Sequence, residues 1–303
     1  MAASVLVTGA SSGLGLATAT ELAAAGRHVV LACRSVERGE AAVASIRQRT
    51  PDASLEVLQV DVASLKSVRA AVTTLLTSSD RPPLHDIVCN AGIQIVDGVQ
   101  RSVDGYELTF ATNHLGHFLL ITGLLDHIVE PGRIVLVSSG THYGPPRSAG
   151  FPGPRWADPR ELADPAVAER DPSARAGRVR YATSKLANIY VAHELARRLS
   201  GRQITVNAFD PGLMPETGLA RDYPPWMQRI YLRAAPLLVR APGVQSVERS
   251  GSDLAWLVTS DEVAGVSGSY FLGRRQRPSS RESYDQDRAG ELWRISEELV
   301  ADA

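Results

Sequence analysis

Cysteine is scarce in this chain, two residues among 303, which excludes a small fold held together by disulfides. Acidic and basic side chains nearly cancel, leaving a formal net charge of −1. That balance supplies neither the basic surface that nucleic acid demands nor a field that draws a polyanionic partner. No apolar run approaches the length of a membrane span, about 20 residues. The first strand opens so early, at Ser4-Val5-Leu6-Val7, that a secretory signal has no room. Internal repeats and low-complexity stretches are missing too. His114 and His117 stand three apart with no third ligand nearby, so they read as structural histidines and no metal is expected. These absences predict a soluble, cytoplasmic protein without nucleic acid or a transmembrane segment.

What is present is a hydrophobic share of 44% against 21% charged, enough to bury a sizeable core. Apolar runs at Val5 to Val7, Val29 to Cys33, Leu55 to Val60, Ile87 to Cys89, Ile134 to Val137, Ile204 to Ala208 and Tyr270 to Leu272 are short and mostly continuous. Strands buried on both faces read this way. Helical patterns alternate with them at Leu16 to Ala25, Arg38 to Arg49, Leu65 to Leu76, Tyr106 to Leu125, Tyr181 to Leu199 and Val244 to Val258. The alternation predicts an α/β fold: a single Rossmann-type doubly wound domain over residues 1–303, with about seven parallel strands and helices on both faces. In the 3-2-1-4 strand order of such sheets, the strands of Cys33 and Cys89 are separated by the first strand, too far for a bridge. Residues 140–180, rich in Pro, Gly, Arg and Asp, read as a long functional or mobile loop. Glu248, Asp253, Asp261 and Glu262 read as ordinary solvated charges.

Two patterns carry chemistry. In Thr8-Gly9-Ala10-Ser11-Ser12-Gly13-Leu14-Gly15 the glycines follow a strand and open a helix. Dinucleotide binding needs this tight turn, close backbone approach and helix N-terminus facing phosphate. Far downstream, Tyr181-Ala182-Thr183-Ser184-Lys185 sets a phenol and an ammonium four residues apart, on one helix face. A free phenol has a pKa of about 10, and a nearby cation lowers it. Such a tyrosine can trade a proton with a carbonyl or alcohol oxygen. Alone, Tyr-x-x-x-Lys also fits an aromatic packed on a lysine stem. At the end of the second strand, where an Asp or Glu would bind the ribose of NAD, the chain has Cys33-Arg34-Ser35. Arg34 offers a planar fork suited to a 2′-phosphate, so NADP(H) is the expected cofactor.

Between the two patterns lie Cys89-Asn90-Ala91-Gly92, Asn113 in Thr112-Asn113-His114-Leu115-Gly116-His117, and Ser138-Ser139 after Arg133 to Val137; Asp210-Pro211-Gly212 follows them. In that order, from about residue 4 to 273, the series resembles the short-chain dehydrogenase/reductase family. His28 to Ser35 and Asn113 to Leu120 resemble its branch of retinol dehydrogenases and light-dependent protochlorophyllide oxidoreductases. The resemblance implies that Ser139, rather than Ser138, holds the substrate oxygen and that Tyr181 is the general acid of reduction. Lys185 would lower the Tyr181 pKa and bind the nicotinamide ribose, while Asn113 would fix a water on the proton path. It places Gly9, Ser11, Ser12, Gly13, Leu14, Gly15 and Arg34 on the phosphates and adenosine, with Asp61 and Val62 at the adenine. Asn90, Ala91 and Gly92 line the path to the nicotinamide ribose. Pro211, Gly212 and Met214 close over the nicotinamide. Relatives then place a carboxamide-binding Thr where this chain has Glu216, with Thr217 one later.

By the same resemblance, residues 213–242, which include Tyr223-Pro224-Pro225-Trp226-Met227 and Ile230-Tyr231-Leu232, are a substrate lid, and residues 274–303 a C-terminal tail and helix. The expected activity is NADP(H)-dependent interconversion of a carbonyl and an alcohol on a fairly large apolar substrate. Two alternatives remain open here: a dinucleotide-binding redox sensor without turnover, and a C=C photoreductase. The helices holding Asn113 and Tyr181 form dimer faces in many relatives, which points to a homodimer or homotetramer.

Overall fold

A computed structural model describes residues 3–78, 81–148, 150–214 and 244–301. Strands Ser4–Thr8 (β1), His28–Cys33 (β2), Leu55–Gln59 (β3), Leu84–Cys89 (β4), Gly132–Val137 (β5), Ile204–Asp210 (β6), Ser269–Leu272 (β7) and Arg275–Arg277 (β8) form one sheet, ordered β3-β2-β1-β4-β5-β6-β7-β8. β1 to β7 pair in parallel, as the apolar runs predict. The antiparallel edge strand β8 was not anticipated. Its Arg-Gln-Arg sequence is exposed and carries no apolar alternation, and charges of this kind blunt a sheet edge against further pairing.

Residues of the central strands alternate between two cores. Leu6, Val30, Ile87 and Ile134 pack on one face of the sheet. Val5, Val7, Val29, Leu31, Val88 and Val135 pack on the other. With both faces covered, β1 and β2 are buried along their whole length, and hence their hydrophobic runs are continuous. Cys33 and Cys89 are buried free thiols.

The helices are Gly13–Ala24 (α1), Val36–Arg49 (α2), Leu65–Thr77 (α3), Leu108–Phe110 (α4), Gly116–Leu124 (α5), Pro159–Ala163 (α6), Pro165–Ala168 (α7), Ala174–Arg198 (α8), Val247–Thr259 (α9) and Gln286–Ala301 (α10). Close approach of α1 and α9 requires Gly251, since a Cβ there would come within 2.5 Å of the Ala17 methyl. Gly116 plays the same part against the β3–α3 loop: its added Cβ would lie 1.8 Å from the Val62 carbonyl oxygen.

Four expectations need correction. Tyr106 to Leu125 is not one regular helix: a π-turn, Ala111–Leu115, separates α4 from α5 and holds Asn113. The stretch Leu108–His127 is also long and apolar enough to span a membrane, at 20 residues and mean hydropathy 1.2, which the reading of short apolar runs overlooked; 72% of that window is buried inside the fold. Residues 140–180 are not one long loop. Asp158 and Asp164 cap α6 and α7, each followed by a proline at the first helical position, and Ser173 caps α8, which starts at Ala174. The Asp-Pro pairs that look like loop punctuation are helix starts. Gly177 lies within α8 because a side chain there would meet the Ile95 and Val96 carbonyls at 2.4 and 2.5 Å. Finally, Asp253 is not a solvated charge: it is 6% exposed and accepts from the Arg274 guanidinium at 2.9 Å.

After β8 the chain returns across the catalytic helices. Tyr190 donates to the Glu282 carbonyl at 2.9 Å, and His193 bonds the Ser283 carbonyl at 2.9 Å. α10 seats Trp293 edge-on against Phe118 at 4.9 Å, with the Arg198 guanidinium 4.4 Å from its ring centre. His114 meets Ser296 at 2.7 Å. Under this cover, Tyr181 to Ala192 of α8 are buried without interruption.

Candidate active site

β1 feeds α1 through the glycine turn. Gly9 and Gly13 have φ of +68° and +55°, where L side chains are strained. A Cβ on Gly15 would come within 2.4 Å of the Gly9 carbonyl and 2.5 Å of Asn90 Nδ2. Ser12 starts α1 without a side-chain cap, and no acidic residue sits in the first turn, so the amides and dipole of this end suit an anion. Thr8 ties the turn to β4. Its hydroxyl accepts from the Asn90 and Ala91 amides at 2.9 and 3.0 Å and pairs with His117 Nε2 at 2.9 Å, while Asn90 Nδ2 donates to the Thr8 carbonyl at 2.8 Å. The Thr8 hydroxyl also reaches the Val88 carbonyl at 3.4 Å, and His117 Nδ1 faces the Asn113 carbonyl at 3.3 Å. Burial pushes the His117 pKa down to about 4, keeping it neutral. His114, in the adjoining π-turn, pairs with Ser296 at 2.7 Å.

At the adenosine end Arg34 is exposed and lines a cleft of about 580 Å³ with Gln59, Asp61 and Ser67. Asp61 turns the chain, its carboxylate accepting from the Ala63 amide at 3.0 Å, and the backbone of Val62 packs against Gly116. Arg38 was missed by the sequence reading. Its guanidinium donates to Ser12 Oγ at 3.4 Å, over the glycine turn. The available signal was a second basic residue one helical turn beyond Arg34.

The catalytic candidates converge beyond the ends of β4, β5 and β6. Ser138 is 1% exposed and donates to the Lys185 carbonyl at 2.8 Å, so it faces inward. Ser139 turns the other way, partly exposed, its Oγ accepting from the Thr141 amide at 3.3 Å and its hydroxyl favouring the ionised form of the Tyr181 phenol against burial. Lys185 Nζ donates to the Val137 carbonyl at 3.1 Å and lies 5.6 Å from the Tyr181 ring centre. Gly92 approaches closely, where a Cβ would be 3.3 Å from Nζ and 3.2 Å from Asn113 Oδ1. Asn113 spends its side chain on the adjoining loop and on α8: Oδ1 accepts from the Ile93 amide at 2.8 Å, and Nδ2 donates to the Ile93 carbonyl and Ser184 Oγ, both at 2.9 Å. In this arrangement the expected lowering of Tyr181 by Lys185 is reversed. Burial dominates, pushing Tyr181 up to about 12 and Lys185 down to about 8. The phenol is thus protonated, the form a general acid requires.

β6 ends at Asp210, and Pro211, Gly212 and Met214 follow beside α9, where Ser250 donates to the Pro211 carbonyl at 2.7 Å. Gly212 has φ of +76°. The expected lid, with Trp226, Met227 and Tyr231, falls outside the described residues apart from 213–214, as do Glu216 and Thr217. Together, the glycine cradle, the amides of α1 and the row Asn90-Ala91-Gly92 leading to Lys185 make a fit for a nicotinamide dinucleotide, because Gly9, Gly15 and Gly92 keep clear spaces that a Cβ would crowd and Gly13 supplies the positive φ of the turn.

A fold with this order of strands, turn and Tyr–Lys helix is that of a dinucleotide-dependent oxidoreductase. The family model for short chain dehydrogenase matches residues 3–149. Retinol dehydrogenase 13 of Homo sapiens is 34% identical over 98% of this chain and 84% of its own length. Retinol dehydrogenase 14 of Mus musculus is 35% identical over 98% of this chain and 85% of its own. The crystal structure of an uncharacterized protein from Mycobacterium paratuberculosis has a TM-score of 0.72 and 30% identity, covering 99% of this chain and 93% of the other. The chain belongs to the short-chain dehydrogenase family.

Proposed function

We propose that the protein interconverts a carbonyl and an alcohol on a fairly large apolar substrate, with NADP(H) as cofactor. The observation that carries the reading is the buried Tyr181 near Ser139, one helical turn from Lys185, whose Nζ lies 5.6 Å from its ring centre, and beyond the Asn90-Ala91-Gly92 row. The cofactor, when bound, supplies or accepts the hydride. Ser139 and Tyr181 then hold the substrate oxygen, and the Tyr181 proton moves to it as negative charge develops there. The Lys185 ammonium stabilises the tyrosinate left behind.

NADP over NAD is supported by Arg34 and Arg38 beside the turn and by the lack of a carboxylate at the end of β2. The apolar character of the substrate is supported by relatives named as retinol dehydrogenases. The test is oxidation of NADPH and of NADH in the dark against a panel of aliphatic, aromatic and retinoid aldehydes and ketones. Dark turnover that favours NADPH and long apolar carbonyls is expected. Cofactor binding without turnover would return the sensor reading, and turnover only under light the photoreductase.

A further inference from the structure

The mechanism above makes no use of Asp210, an ionisable group buried at the site. Asp210, 4% exposed, closes β6 just where β5 delivers the catalytic serine. The register Val137↔Phe209 and the Ser138 amide donating to the Phe209 carbonyl at 2.7 Å set it one step beyond Val137, whose carbonyl holds Lys185 Nζ at 3.1 Å. Burial raises the Asp210 carboxyl above its ordinary range, and two contacts oppose this by favouring its charged form: Oδ2 accepts from the Tyr270 hydroxyl at 2.6 Å and Oδ1 from the Gly212 amide at 2.9 Å. Gly140 is itself tight against it, with an added Cβ 3.2 Å from Oδ2.

The groups facing Asp210 are Lys185 and Tyr181 from α8, Tyr270 from β7, and Tyr143 from the turn after β5. His142 stacks on Tyr143 and Tyr270, at 4.0 and 4.8 Å between ring centres, and burial keeps it neutral. Lys185 is the cation acting on the carboxylate, and Asp210 the acid acting on Lys185. A lysine 4% exposed, bonded to a neutral carbonyl, is driven toward its uncharged form by burial. Something must oppose that if an ammonium is to stabilise the tyrosinate.

We propose that Asp210 is a positioning residue for the catalytic pair: held by the Tyr270 hydroxyl and the Gly212 amide, with Gly140 packed against it, its carboxylate is the counter-charge that holds Lys185 as an ammonium beside Tyr181. The inference rests on the oxidoreductase reading for its purpose but not for its test. The chain has two lysines, Lys66 and Lys185, and Lys66 is exposed, so an NMR pH titration of full-length protein labelled with ¹³C at lysine Cε gives one active-site signal and one internal reference. In Asp210→Asn the Lys185 midpoint should fall by about one pH unit or more, Lys66 staying in place. In Tyr270→Phe, which keeps the carboxylate but removes a donor from it, the Lys185 midpoint should rise by a few tenths of a unit. An unmoved Lys185 in folded Asp210→Asn overturns the proposal. If that variant does not fold, Tyr270→Phe decides alone, and a midpoint unchanged or lowered overturns it. No cofactor or substrate enters the titration, so a protein that shows these shifts yet never turns over would refute the enzymatic reading and leave the charge coupling standing.

Discussion

Replacing Thr8 by valine removes one oxygen and almost no volume, yet that oxygen joins β1, β4 and α5. Two backbone amides, of Asn90 and Ala91, donate to it at 2.9 and 3.0 Å, and it pairs with His117 Nε2 at 2.9 Å in a place where Thr8 and His117 are 0% and 1% exposed. Each buried polar group left without a partner costs about 1 to 3 kcal/mol. The Asn90 amide keeps the Val88 carbonyl at 3.1 Å, so with the Ala91 amide and His117 Nε2 orphaned, Thr8→Val should lose roughly 2 to 6 kcal/mol, a large share of the 5 to 15 kcal/mol typical of a folded domain. Thr8→Ser keeps the hydroxyl and gives up a methyl, worth about 1 kcal/mol. Guanidinium unfolding followed by fluorescence of the four tryptophans compares the two variants with the parent at one pH. The valine variant should also bind dinucleotide more weakly, since the Asn90-Ala91 row is released from the glycine turn. If Thr8→Val were no less stable than Thr8→Ser, the idea that this hydroxyl fixes the cradle would be wrong.

Tyr181→Phe should abolish carbonyl reduction and leave dinucleotide affinity nearly unchanged in a fluorescence titration, because it removes the transferable proton and little else; near-normal turnover would take Tyr181 out of the mechanism. Arg34→Ala and Arg38→Ala should each weaken NADPH binding by the loss of a charge-assisted contact, about 1.5 to 3 kcal/mol, with little change for NADH; equal losses for both cofactors would count against a 2′-phosphate site. Asp86, 3% exposed, has a pKa raised from 3.8 to about 6 by burial, against the pull of Arg27 and Arg133. A carboxyl raised in the folded state contributes stability that is complete below its unfolded value and lost as pH rises through the folded one. Relative to Asp86→Asn, the parent should therefore lose up to about 3 kcal/mol between pH 4 and pH 7 in parallel unfolding curves, and identical pH slopes would disprove it.

The parallel sheet was legible because strands buried on both faces must be apolar throughout, and β1, β2 and β4 to β7 are marked that way. β8 was not, since an exposed edge built from Arg275, Gln276 and Arg277 has no apolar face to betray it. The glycine turn could be read directly: Gly9, Gly13 and Gly15 answer to backbone geometry and close contact, which few other residues satisfy. Asn113 could be located in sequence, but not the π-turn that holds it, because a one-residue widening of a helix leaves the apolar pattern almost intact. The Asp-Pro caps of α6 and α7 were hidden by composition. Arg38 and Asp210 depended on distance across the fold: one is paired with Ser12, 26 positions away, and the other with Tyr270, 60 positions away.

The C-terminal helix gives the catalytic helices a resident neighbour. Where the resemblance led to an expectation of a second subunit against the helices of Asn113 and Tyr181, this chain lays its own α10 across Phe118, Arg198 and the π-turn residue His114. α10 thus covers part of that surface. The arrangement also makes the last sixteen-residue helix a remote support of the chemistry: a cut or truncation near Gln286 would uncover Phe118 and unseat His114, slackening at one stroke the segment that carries Asn113 and the helix that carries Tyr181 and Lys185. Loss of α10 should therefore read first as a loosening around Asn113, Tyr181 and Lys185.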